Sequence, residues 1–214
     1  DSIAALSNVP LFYQSSQSNI APSYYWDGVA IADLDNDGDQ DALVVNYQQG
    51  NIVVFNDGNG YFTNSAQLLG LNASTKAGLA DLDGDGDIDA FVTNDAEGNV
   101  VWLNDGLGFF TSNGQNLGNA DSKHVSLADF DGDGDIDALV ANTFTGLAND
   151  YSKLWINDGS GNFTDNGQNL SYSAWTVVAD FDGDGDLDAL TDRIWLNDGN
   201  GSFTNSGQTL SAGN

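Results

Sequence analysis

Asp81-Leu82-Asp83-Gly84-Asp85-Gly86-Asp87-Ile88-Asp89 sets a carboxylate at every second residue of a nine-residue stretch, with glycine at its fourth and sixth positions. The pattern returns as DLDNDGDQD over 33–41, DFDGDGDID over 129–137 and DFDGDGDLD over 180–188. The four starts lie 48, 48 and 51 residues apart, so the chain is four copies of one unit of about 50 residues.

Each Asp stretch is flanked by short segments of small and apolar residues. Before it come 29–32, 77–80, 125–128 and 176–179; after it come 42–45, 90–93, 138–141 and 189–191. A third apolar segment (52–55, 100–103, 154–156, 194–196) leads into Asn-Asp-Gly, and the tails NDGNGYFT, NDGLGFFT, NDGSGNFT and NDGNGSFT supply a Gly-rich turn and a fourth segment. These read as strands A to D of a hairpin meander, because Asn, Asp and Gly tolerate the positive φ that tight turns need. Four short strands per unit with almost no helical periodicity predict an all-β β-propeller of four four-stranded antiparallel blades. The expected units are 26–73, 74–121, 122–173 and 174–214. Small residues just before each Asp stretch (Ala32, Ala80, Ala128, Ala179) suit an innermost strand crowded around an axis. A β-roll solenoid also repeats Asp and Gly, but with a period near nine residues.

The N-terminal 25 residues stand outside this count. Phe12-Tyr13-Gln14-Ser15-Ser16-Gln17 echoes Phe62-Thr63-Asn64-Ser65-Ala66-Gln67 and reads as an orphan outer strand. Four blades and an orphan strand predict either a small closed ring, a fragment of a longer array, or a homo-oligomer that completes the ring or covers an edge.

The formal net charge is -28, from 32 Asp plus Glu against 4 Lys plus Arg, so no basic groove is available and nucleic acid is not expected as a partner. No apolar run reaches the roughly 20 residues of a membrane-spanning helix, and insertion into a membrane is not expected. Cysteine is absent, which removes both disulfides and thiolate metal sites. A chain opening Asp1-Ser2-Ile3 without an initiator Met is expected to have been processed or excised, with room for a signal peptide upstream.

Hard oxygen donors packed this densely, with no His or Cys beside them, select a hard cation. Five ionised carboxylates within nine residues would oppose folding unless one neutralised them. Ca2+ accepts six to eight oxygens in flexible geometry, so four Ca2+ ions are expected, and Gly at the sixth position permits the sharp turn around each. An EF-hand would need Glu at the twelfth position, where this chain has Val44, Val92, Val140 or Thr191. Metal-free Asp-Gly turns would account for one copy easily and for four copies poorly.

The Asp loops and the NDGxGxFT tails resemble the FG-GAP and VCBS repeats, the former found in integrin alpha-subunit propellers, over residues 26 to 211. The resemblance implies a loop between strands A and B that binds calcium through side chains at positions 1, 3, 5 and 9 and a main-chain carbonyl at position 7. The side-chain ligands would be Asp33, Asp35, Asp37 and Asp41; Asp81, Asp83, Asp85 and Asp89; Asp129, Asp131, Asp133 and Asp137; and Asp180, Asp182, Asp184 and Asp188. The carbonyls would be those of Asp39, Asp87, Asp135 and Asp186. In the first copy Asn36 and Gln40 replace Gly and an apolar residue. Relatives usually close rings of about seven blades.

In a propeller the A–B and C–D loops share one face, and the B–C and D–A loops share the other. The first face is uniform across the copies. On the second, the stretch from position 9 to the Asn of NDG spans 15, 15, 20 and 9 residues, so ligand recognition is expected there. Candidate ligand residues are Tyr24, Trp26, Tyr47, His124, Tyr151, Trp175 and Arg193, with an insertion over 143–151; aromatics beside Asn, Asp and Gln suit a carbohydrate or a protein partner. For any single aromatic, burial in the core is the competing reading. Trp102, Trp155 and Trp195 share one repeat position on strand C and read as packing. One His without a nucleophile motif gives an enzyme little support; a secreted binding or adhesion module is the expectation, and the alternatives are a propeller of a polysaccharide-active, lyase-like enzyme or a purely structural array module of a larger surface protein.

Overall fold

The computed structural model describes residues 26–146 and 150–209 of the chain. Sixteen strands form four separate antiparallel sheets, each in simple meander order. The first blade is β1 (Trp26–Ala32), β2 (Asp41–Asn46), β3 (Ile52–Asn56) and β4 (Phe62–Asn64). The second is β5 (Ser74–Ala80), β6 (Asp89–Asn94), β7 (Val100–Asn104) and β8 (Phe110–Ser112). The third is β9 (Asp121–Ala128), β10 (Asp137–Thr143), β11 (Lys153–Asn157) and β12 (Phe163–Asp165). The fourth is β13 (Val177–Ala179), β14 (Asp188–Leu190), β15 (Arg193–Asn197) and β16 (Phe203–Thr209). The all-β propeller architecture expected from the repeats is the one observed, and no helix of the described residues is long and apolar enough to cross a membrane. The orphan-strand reading of 12–17 lies outside the described residues.

Every residue of β2 and β6 is buried. A strand with sheets packed on both of its faces needs apolar residues in an unbroken run, which is how these strands read in the sequence. The core lies between blades. Leu34, Leu43, Val45 and Val53 of blade one meet Ala77, Ala90, Val92 and Phe110 of blade two. Leu82, Phe91 and Val101 of blade two meet Val125, Ala138, Val140 and Phe163 of blade three, and Phe130, Leu139 and Leu154 of blade three meet Ala189 and Phe203 of blade four. Trp102, Trp155 and Trp195 pack against these clusters, as their shared repeat position suggests. The inner strands β1, β5 and β9 lie side by side. A Cβ on Gly78 would sit 2.8 Å from a Leu127 methyl on the neighbouring inner strand, so crowding there does demand the smallest residue.

Polar bonds repeat the same joint. Asn104, Asn157 and Asn197, each the Asn of an NDG turn, donate Nδ2–H to the main-chain carbonyls of Leu34, Leu82 and Phe130, one blade earlier, at 2.8–2.9 Å. Farther out, Gln67 and Gln115 each accept from the N–H of a Phe on the next blade's outer strand (Phe110, Phe163) and donate to a carbonyl there. Gln168 accepts in the same way from Phe203.

Two element boundaries depart from the sequence reading. The inner strands of the first three blades begin three or more residues earlier than their apolar segments, because buried side-chain bonds such as Ser74 Oγ to Asn94 Oδ1 and Ser122 Oγ to Asn142 Oδ1 carry polar residues into the sheet. In blade four, Thr176 and Thr191 fall outside the strands; the short connection turns at Thr191, whose N–H bonds to Arg193 O, and this clips β14 to three residues.

Candidate metal centres and loop face

The Asp loops join the first and second strands of each blade, and the chain's own hydrogen bonds shape them. The position-1 carboxylates of Asp33, Asp81, Asp129 and Asp180 accept the N–H of the position-6 glycine at 3.0–3.1 Å. Asp37, Asp85, Asp133 and Asp184 accept the N–H of position 7 at 2.9–3.0 Å. Gly38, Gly86, Gly134 and Gly185 have φ between 95° and 103°, a region closed to residues with a Cβ, which accounts for the sixth-position glycine.

These turns gather acidic oxygens. One oxygen each from Asp33, Asp35 and Asp37 lie within 4.8 Å of one another, as do those of Asp81, Asp83 and Asp85, of Asp129, Asp131 and Asp137, and of Asp180, Asp182 and Asp188. Between them the four clusters draw on positions 1, 3, 5 and 9. Asp33 Oδ1 and Asp35 Oδ1 are buried and accept no hydrogen bond, an arrangement that a bound cation would complete. Burial, and after it the charge of neighbouring carboxylates, holds Asp35, Asp83, Asp131 and Asp182 at position 3 above the usual carboxylate range. The donor set is all oxygen, anionic and clustered, and it fits calcium.

Position 9 has a second role that the repeat pattern did not reveal. Asp41, Asp89, Asp137 and Asp188 are completely buried; one oxygen of each accepts the N–H of position 2, the other the N–H of the NDG asparagine. The loop is thereby bolted to the third strand. Burial lifts Asp89 and Asp137 to about 6 despite these bonds.

Position 7 side chains stand apart from the clusters. Those of Asp39, Asp87, Asp135 and Asp186 lie under the glycine of the NDG turn, where a Cβ on Gly58, Gly106, Gly159 or Gly199 would meet them at 2.4–2.6 Å. The odd first copy also has an explanation: Asn36 Nδ2 donates across the blade boundary to Asp87 Oδ1 at 2.7 Å and to Gly106 O at 3.2 Å. The uniform face is thus a single bonded surface of Asp loops and NDG turns.

On the opposite face the candidate ligand residues divide into two groups. Tyr47 and Trp175 line a cavity of ≈ 480 Å³ with Thr75, Asp95, Lys123, Thr143 and Ala174, drawn from all four blades. His124 is half-buried, with its ring 5.6 Å from that of Trp175; burial, then the charge of Lys76, pushes its pKa down. Tyr151 and Arg193 belong to a second, outer depression with Tyr172, Asp192 and Trp195. There Tyr151 stacks on Tyr172 at 4.6 Å, and Arg193 pairs with Asp192 at 3.2 Å. Tyr24 and the side chain of Trp26 lie outside the described residues.

Asp95, Lys123 and Thr143, which no motif marks, meet in the first cavity only through the fold. Within the insertion, Asp150 is a buried carboxylate that accepts from Thr145 N, Thr145 Oγ1 and Gly146 N at 2.7–3.0 Å and pins the insertion at its described ends.

Comparison with known proteins bears on the fold and the repeats. The crystal structure of the V. cholerae biofilm matrix protein Bap1 is similar, with a TM-score of 0.51 and 21% identity over 84% of this chain. The chain spans 30% of that protein's length. A search among curated proteins returns no match. The family model described as FG-GAP-like repeat matches three times, over 33–92, 81–140 and 129–191, each match running from one Asp loop through the next. The chain therefore belongs to the FG-GAP-like repeat family.

Proposed function

We propose that this chain is a calcium-braced, extracellular, non-catalytic binding module, which uses its Asp-loop face as scaffold and its opposite loop face to hold a glycan or a protein partner. The carrying observation is the division of labour between faces. All four acidic clusters lie on the bonded, repetitive face, while the unequal loops and the cavity lined by Tyr47 and Trp175 lie on the other. Family membership supports calcium as the ion, and the likeness to a biofilm matrix protein supports an extracellular setting. Each Ca2+ would be held by the carboxylates at positions 1, 3, 5 and 9. Melting with calcium and with excess EDTA tests the brace, because an ion bound only by the native state stabilises it by about 2.7 kcal/mol per site at one hundred times its dissociation constant. An unchanged melt rejects calcium bracing. Retention on immobilised glycans and matrix proteins tests binding, and release of cleaved glycan would reject the non-catalytic reading.

A second reading, that the array also packs end to end on further blades of another copy, is favoured by its two terminal faces. Phe181 is 40% exposed, whereas Leu34, Leu82 and Phe130 at the same position are at most 1% exposed. At the other end Val29 and Ile31 are 46% and 64% exposed, while Ala77 and Val125, the counterparts of Val29, are buried between blades and Leu79 and Leu127, the counterparts of Ile31, are partly buried there. Light scattering in calcium should show a dimer or larger species that Phe181→Asp dissociates; a monomer throughout rejects this reading.

A further inference from the structure

We infer that the cavity lined by Tyr47, Thr75, Asp95, Lys123, Thr143 and Trp175 is a binding site for an uncharged sugar ring, stacked on Trp175. The inference rests on the reading that the loop face is the binding face, and it names both the site and the class of ligand.

Four features converge. The cavity, at ≈ 480 Å³, falls within the roughly 300–1,000 Å³ typical of small-ligand sites. It also sits where the ends of the inner strands meet, so its walls come from rigid sheet and not from one loop: Thr75 and Lys123 lie on β5 and β9, Thr143 ends β10, and Tyr47 and Asp95 directly follow β2 and β6.

Trp175 is 68% exposed, whereas Trp102, Trp155 and Trp195 are half-buried against the core. Its indole leans on the His124 ring, and its backbone is fixed at both ends by Ser173 Oγ, which donates to Trp175 O at 2.6 Å and accepts from Trp175 N at 3.2 Å. An aromatic face held in place but left bare suits the C–H face of a pyranose at little ordering cost.

The polar side of the cavity is organised in advance. Lys123 is ion-paired with Asp95 at 3.5 Å and, more closely, with Asp121, whose carboxylate also takes the Thr143 hydroxyl. Tyr47 OH lies 3.4 Å from Asp95 Oδ2. This gives carboxylate acceptors and ammonium and hydroxyl donors side by side, the complement of adjacent sugar hydroxyls.

Charge selects among sugars. Lys123 is already matched by two carboxylates, and the chain's formal charge of -28 stays strongly negative with four Ca2+ bound, so uronates, sulfated sugars and phosphates meet a repulsive field. Neutral hexose or N-acetylhexosamine units do not.

The test titrates the calcium-loaded full chain with neutral hexose and N-acetylhexosamine oligosaccharides and with a uronic-acid oligomer, followed by calorimetry. The expected result is binding of at least one neutral oligosaccharide, weakened more than tenfold by Trp175→Ala and by Asp95→Ala, partly restored in Trp175→Phe, and unchanged in Leu107→Ala, an exposed side chain in the NDG turn of the opposite face. Melting temperatures of the variants confirm that each is folded. Neutral-glycan binding that survives both Trp175→Ala and Asp95→Ala overturns this site while leaving the loop face as the binding face. Stronger binding of the uronic-acid oligomer, or binding of no glycan at all, overturns the assignment of an uncharged sugar and leaves the broader reading to protein partners.

Discussion

The side-chain amide of Asn104 donates to the main-chain carbonyl of Leu34, 70 residues earlier and on the preceding blade, at 2.9 Å. The same amide also reaches Ile88 O at 3.1 Å, and Asn104 N–H binds Asp89. One residue therefore joins two blades, an Asp loop and a strand. Asn56, its counterpart in blade one, donates Nδ2–H to the exposed carbonyl of Gln40 at 3.2 Å. Asn104→Leu should thus cost on the order of 1–3 kcal/mol through carbonyls left unbonded, and Asn56→Leu clearly less. Denaturant unfolding in calcium, with each variant against the parent chain, checks the difference.

Positions 5 and 9 of the third loop should separate ion binding from loop architecture. Asp133 is exposed, as is the bond it accepts from Asp135 N–H, so Asp133→Ala should weaken calcium binding while changing the stability of the EDTA-treated protein little. Asp137 satisfies the buried N–H groups of Phe130 and Asn157 at 2.9 Å each. Asp137→Ala should therefore lower stability even in EDTA, by on the order of 1–3 kcal/mol for each donor left unmade. Calcium titration and chelated melts, run on both variants, decide this.

Two glycines of blade two differ in what surrounds them. Gly86 has φ +96° with open space beside it, whereas Gly106 has φ +75° and a Cβ there would lie 2.5 Å from Asp87 Oδ2. Gly86→Ala should cost about 1–2 kcal/mol for the left-handed backbone alone. Gly106→Ala should cost more, since it also drives the Asp87 carboxylate out of its seat. Equal losses in thermal melts would contradict the packing of Asp87 beneath the turn.

Acid should favour the chelated protein over the range where its buried carboxylates titrate. Asp89 and Asp137 are raised from 3.8 to about 6 in the fold, so between those values the folded state binds more protons than the unfolded one. The stability they contribute is fully present below 3.8 and is lost as pH rises through 6. In EDTA the melting temperature should accordingly be higher at pH 5 than at pH 7. In calcium the order should reverse, because ion binding requires the ionised carboxylates. Melts at the two pH values, with and without calcium, provide the check.

Repetition made most of this legible in the sequence. A nine-residue acidic pattern recurring four times sets the blade count, the strand order and the acidic clusters, because local spacing alone decides which residues a tight loop brings together. The unbroken apolar runs at 42–45 and 90–93 likewise announce strands covered on both faces, as β2 and β6 are. Three things needed the tertiary structure. The buried Ser74–Asn94 and Ser122–Asn142 bonds extend the inner strands through residues that composition marks as loop. The position-9 carboxylates serve as bolts because the N–H groups they accept lie on a strand whose register only the folded blade sets. The cavity around Trp175 joins Tyr47, Asp95, Lys123 and Thr143 from separate repeats, and no local pattern encodes that meeting. A repeat specifies contacts within itself and with its nearest neighbour, whereas a site shared by four repeats depends on how their small relative rotations accumulate around the array.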